Sequence, residues 1–93
     1  MSFTREQLLS AATNAAIYDL AGTEPGYMLV DALLLADTAA CAAVDAVLRG
    51  QTSAKDIDDV LLDLEWNVYL SPRLSSGLRR AFRAAWEALE AMS

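Results

Sequence analysis

The residues with most capacity for chemistry are the carboxylates between Asp56 and Glu65. Asp56, Asp59 and Asp63 stand at i, i+3 and i+7, which sets three carboxylates along one side of a helix. Asp58 and Glu65 add to the same negative patch. Paired carboxylates can act as general acid and base, or they can present negative charge to a basic surface. The rest of the chain argues against proton-transfer chemistry. It has no histidine, the commonest general base and metal ligand, and a single cysteine cannot build a structural zinc site. No glycine-rich phosphate loop or nucleophile elbow is present. Ser53 and Lys55 are too close in sequence to form a dyad. A helical chain of 93 residues also leaves little room for a deep pocket. The expectation is a protein that is not an enzyme and needs no cofactor or metal.

Charge presentation fits better. A row of carboxylates can occupy a basic groove that ordinarily holds a nucleic-acid backbone, because its charges are similarly placed. The plain alternative is a solvated helix face. Asp56, near the helix start, also complements the helix dipole.

The same segment carries two apolar strips. Ile57, Val60, Leu61, Leu64 and Val68 form the strip expected to face a core. Leu62, Trp66 and Tyr69 recur at i, i+4 and i+7 on roughly the opposite side. Asp58 and Glu65 flank this second strip on one side, Asp59 and Asp63 on the other. An aromatic anchor ringed by charge resembles a protein–protein hot spot, and acids speed encounter with a basic partner. The candidate partner-binding residues are therefore Asp56, Asp58, Asp59, Leu62, Asp63, Glu65, Trp66 and Tyr69. Trp66 is the anchor, unless it is buried in the bundle or in a homodimer.

Other chemically active residues are scattered. Asp37 sits between apolar faces of its helix and is expected to be paired or exposed at an edge, since an unpaired buried carboxylate is costly. Cys41 is expected to be a small buried apolar residue. Arg73, Arg79, Arg80 and Arg83 cluster near the C-terminus. Residues 1–70 carry a net charge of −8 and residues 71–93 a net +2. The arginines can pair with the acids of the third helix, within one chain or across a dimer.

Four helices must position these groups. Thr4 and Gln7 make a capping box, Phe3 and Leu8 stand where a hydrophobic staple would lie, and Gly22 is a stop, predicting a first helix over 5–21. Thr23 to Gly26 forms a turn, with Thr23 as cap and Pro25 tolerated in a first turn. A second helix runs from there to Arg49, with Gly50 after it. Its polar stripe is Asp31, Thr38 and Asp45, and nearly everything else on it is apolar or small, so it is expected at the centre of the bundle. Ser53 and Asp56 form another capping pattern for a third helix over 54–70, ending before Pro72. Ser71 and Pro72 open a fourth, which Ser75, Ser76 and Gly77 can delay or kink. Leu74, Leu78, Phe82, Ala85, Leu89 and Met92 form its core stripe, opposite Arg80, Arg83, Glu87 and Glu90.

The fold class is all-α, one domain over 1–93, a compact bundle with the second helix central. Apolar residues are 55% of the chain, a surplus that must be enclosed on several sides or left as surface for a partner. The apolar stretch Met28 to Leu48 has the length of a membrane span. Its three aspartates each cost about 2.5–3.5 kcal/mol on insertion scales, so it reads as a core helix. The net charge of −6 disfavours nucleic-acid and acidic-membrane binding and favours a basic protein surface. The lone cysteine and the lack of a secretory signal point to the cytoplasm. Within the binding class, a phage-type, anti-CRISPR-like inhibitor of a nucleic-acid-handling complex and a toxin-neutralising immunity or antitoxin protein are both open. The chain is similar to such proteins only in size and charge. A homo-oligomeric structural or adaptor module and a regulatory DNA binder using the arginine-rich fourth helix are the alternatives from other classes.

Overall fold

The computed structural model describes residues 3–23, 26–51, 53–67 and 71–92, with the backbone alone described at Ala54, Trp66 and Asn67. Among these residues the chain forms α1 (Arg5–Ala21), α2 (Leu29–Leu48), α3 (Ala54–Asn67) and α4 (Pro72–Met92), and no strands.

Local signals set most helix ends. At α1 the capping box is closed on both sides: the Gln7 amide donates to Thr4 Oγ1 at 3.1 Å, and the Thr4 amide donates to Gln7 Oε1 at 2.8 Å. At α3 the Asp56 amide donates to Ser53 Oγ at 3.1 Å and the Ser53 amide donates back to Asp56 Oδ2 at 3.3 Å. At α4 Ser71 Oγ accepts from the Leu74 amide, and Pro72 takes the first helical position, where its missing N–H costs nothing. Gly50 follows the C-cap of α2 with φ of 75°, a backbone state that glycine reaches without strain.

The start of α2 departs from the sequence reading. Thr23 does not cap it; its hydroxyl donates to the Leu20 carbonyl and closes α1 instead. Met28 is the N-cap residue, and its side chain makes no capping bond. Pro25 lies outside the described residues, as do 68–70 of the expected third helix.

Helices α1, α2 and α4 pack on one another extensively, while α3 touches α2 and α4 only lightly. The seam joining the first three is lined by small residues. Ala12 and Ala16 come from α1, Ala36, Ala39, Ala40 and Ala43 from α2, and Ala81 and Ala85 from α4; none is exposed at all. Such residues let helix axes approach to the short end of the usual 8–10 Å range. Phe82, Leu20, Leu78 and Val44 fill the remaining volume. Phe82 also stacks on the nearly buried Trp86, with ring centroids 6.4 Å apart.

Helix α2 contacts all three neighbours and so is central, but it is not enclosed. Met28, Leu29 and Val30 are each about three-quarters exposed, and Leu33 and Leu34 about half. Further along the same face Ala40 and Val44 are buried. The face is bare over its N-terminal half and only partly covered beyond it, where Leu48 is again about half exposed.

Helix α4 is continuous through Ser75, Ser76 and Gly77, contrary to the delay or kink that these residues suggest. Gly77 is there for space. A Cβ at this position would stand 2.7 Å from Tyr27 Oη and 2.8 Å from Tyr27 Cζ. Tyr27 is held in place by its hydroxyl donating to the Arg73 carbonyl at 3.0 Å, and by the Arg73 guanidinium 4.6 Å over its ring. The substitution Gly77→Ala gains about 1 kcal/mol of helix propensity but overpacks the Tyr27 contact at a cost of about 1–3 kcal/mol. Urea unfolding should show a net loss of stability. In a Tyr27→Ala background the same substitution should stabilise; a loss of equal size in both backgrounds would refute the packing role of Gly77.

Candidate functional site

Helix α3 presents the expected two faces. Leu61 is buried, and Ile57, Val60 and Leu64 are half-buried against the core. Leu62, one residue on from Leu61, is 64% exposed and forms the outer crest. The side chains of Trp66 and Tyr69, the expected anchor and its neighbour, lie outside the described residues, as does Val68 of the inner strip.

The acids divide around that crest. Asp58 is exposed and borders a crevice of about 390 Å³ between α3 and α4, with Leu61, Phe82, Arg83 and Trp86 among its walls. Asp63 is exposed on the other flank and borders a depression of about 170 Å³ shared with α2, beside Ala42, Ala46 and Arg49. Asp59 is exposed and accepts a 3.0 Å hydrogen bond from Lys55 Nζ, one turn back. That bond raises the Lys55 pKa above its ordinary value.

Asp56 and Glu65 also have local structural work. The Asp56 carboxylate closes the cap of α3. Glu65 has a side chain only 18% exposed, and Arg79 Nε of α4 lies 2.5 Å from its carboxylate. With five acids and one lysine, α3 carries a net charge of −4, and Arg79 offsets one of those charges.

The remaining arginines are distributed more widely than a simple pairing with α3. Arg80 pairs with Asp19 of α1 at 3.2 Å. Arg73 donates to the Gly26 carbonyl and covers Tyr27. Arg83 is exposed beside the crevice, next to Glu87. Arg5 of α1 pairs with Asp45 of α2 at 2.7 Å. Trp86 Nε1 donates to Glu90 one turn on, which satisfies the indole in its nearly buried setting.

Asp37 is exposed at the edge of α2, one of its two expected placements. Cys41 is half-buried rather than fully buried, because it continues the partly bare line through Val30, Leu34 and Asp37. Burial first, then the nearby Asp37 and Asp45, raise its thiol pKa, with Arg5 opposing them. The thiol is thereby less reactive than an ordinary one.

Among the described residues no cluster of three or more cysteine, aspartate or glutamate side chains is arranged to hold a metal ion, and no helix is long and apolar enough to cross a membrane. Sequence reasoning missed the bare ledge from Met28 to Leu34. Its signal was residue size: the large residues of α2 gather in its first two turns, while the alanines that pack follow.

The Arg79–Glu65 pair ties a lightly packed helix to a well-packed one. The substitution Arg79→Ala should cost about 1 kcal/mol, since the arginine is more than half exposed. Hydrogen exchange should speed up in α3 amides while α1, α2 and α4 stay protected; uniform acceleration along the chain would show that the pair is no local tie. No family model, curated protein or solved structure matches this chain, so its function is argued from this geometry alone.

Proposed function

We propose that the chain is a non-enzymatic binding protein that masks a basic surface of a partner protein through the outer face of α3. One observation carries this reading: the exposed Leu62 stands between exposed acids that flank it on opposite sides, Asp58 toward α4 and Asp63 toward α2. A basic surface closing over this crest meets negative charge on both flanks and an apolar contact at the centre. The acids accelerate encounter and set register, and Leu62 supplies burial. Trp66 and Tyr69, with Leu62 in the sequence pattern, are the proposed anchors beside it.

The partner class follows from the charge. Carboxylates repeated along a helix compete for a groove that holds a phosphate backbone, so the proposed partner is a nucleic-acid-handling protein, and the role an inhibitor of the phage, anti-CRISPR-like kind. A toxin whose active surface is basic satisfies the same chemistry. The lone Cys41 fits a reducing compartment such as the cytoplasm. Direct DNA binding through α4 has less support, because Arg79 and Arg80 are paired with acids of their own chain.

The test compares immobilised wild type with an Asp58→Lys/Asp59→Lys/Asp63→Lys variant as baits. All three positions are exposed, so the variant should keep the wild-type circular dichroism. A partner should be retained by wild type at about 50 mM salt, released as salt rises, displaced by duplex DNA, and lost from the variant. Equal retention by both baits, or insensitivity to salt, would sink the proposal.

A further inference from the structure

Beyond Asp58, on the α4 side of the acidic crest, the surface opens into the crevice of about 390 Å³ between α3 and α4. Pockets that hold an organic group run from about 300 to 1,000 Å³, so there is room for one side chain of a partner. The base of the crevice is apolar: Leu61 and Trp86 are nearly buried, and Ile57 is half-buried on the α3 side. Charge is confined to the rim and is unequal. Asp58 stands on the α3 wall and Glu87 and Glu90 on the α4 wall, while Arg83 is the one cation among the described lining residues. Glu90 accepts the Trp86 indole N–H. Asp58 and Glu87 are exposed, on facing walls, and neither is held in an ion pair among the described residues.

An apolar slot with carboxylates on both walls is complementary to a flat cation carried on an aliphatic stem. We infer that the crevice takes an arginine side chain of the basic partner, an inference that rests on the masking role proposed for α3. The methylene stem packs on the apolar base, and the guanidinium donates to Asp58 on one wall and Glu87 on the other. Arginine suits the slot better than lysine, because its fixed fork of donors serves two carboxylates at once and its plane is more weakly hydrated than an ammonium. A neutral apolar group is disfavoured, since closing the slot over it strips water from carboxylates that gain no partner. Arg83 stands on the same rim, one turn before Glu87, and acts as an internal competitor that weakens the hold on an outside guanidinium.

The probe is N-acetyl-arginine-amide, titrated into the isotope-labelled full chain and followed by NMR, with the neutral N-acetyl-citrulline-amide as control. Saturable shifts should centre on the Trp86 indole and the Asp58 amide, with a Kd of about 5 mM. Asp58→Asn and Glu87→Gln should each weaken binding about threefold and together about tenfold, Arg83→Gln should tighten it about threefold, and Asp63→Asn, on the far flank of α3, should leave it unchanged. All four positions are exposed, so the variants should keep the wild-type spectrum away from the crevice. Equal shifts with the citrulline compound, or binding indifferent to the Asp58→Asn/Glu87→Gln pair, overturn the guanidinium slot. Weaker binding to Arg83→Gln overturns the competition by Arg83, and tighter binding of N-acetyl-lysine-amide overturns the choice of arginine. Partner capture separates this slot from the masking role. A partner retained equally by wild type and by Asp58→Asn/Glu87→Gln overturns the slot and leaves the crest intact, whereas arginine binding with no partner retained by wild type supports the slot and sinks the masking role.

Discussion

The close approach of α1, α2 and α4 through alanine is the constraint on which the rest of the molecule depends. Nine of the 18 buried apolar side chains among the described residues are alanines, and the fully buried ones gather where these three helices meet. A seam of methyl groups buries little area per residue, so its stability rests on short axial separation and dense packing rather than on bulky side chains. It also leaves no room for more large residues. Phe82, Leu20, Leu78 and Val44 occupy what space there is, and Gly77 must stay without a side chain for Tyr27 to close the end of the seam. The apolar surplus in the composition is therefore displaced outward, onto the first turns of α2.

Helix α3 obeys a different rule. It buries Leu61, and three other apolar residues only in part, and it relies on the Arg79–Glu65 pair for a further tie. A net charge of −4 on fourteen residues works against close packing on an already acidic chain. Light attachment and concentrated charge are the properties of an element retained for what it presents outward, and this physical contrast with the alanine seam supports reading α3 as the functional helix.

Much of this could be read from residue order. Thr4 with Gln7 and Ser53 with Asp56 specify helix starts by side-chain bonds that depend on local spacing alone, and the structure contains them. The alternation of Leu61 inward and Leu62 outward follows from the helical period. What could not be read depends on tertiary geometry. Thr23 stands between two helices in the sequence, and only the path of the chain decides that it closes α1. Gly77 looks like a helix breaker until Tyr27, fifty residues earlier, is placed against it. A uniformly apolar α2 implies enclosure, yet a neighbour must extend along its whole length to provide it, and hydropathy carries no information on how far a neighbour reaches. Cys41 is half-buried for the same reason.

The acidic face of α3 and the ledge of α2 lie toward opposite ends of α2. The depression beside Asp63 is bordered by Ala42, Ala46 and Arg49 of α2, whereas the ledge ends at Leu34. Leu33 and Ala46 are thirteen residues apart, about 20 Å along the axis, which exceeds the Debye length of about 8 Å at physiological salt. Charge on α3 is therefore largely screened at the ledge. The apolar ledge and the acidic helix are therefore electrostatically separate surfaces, and contact at one leaves the other open.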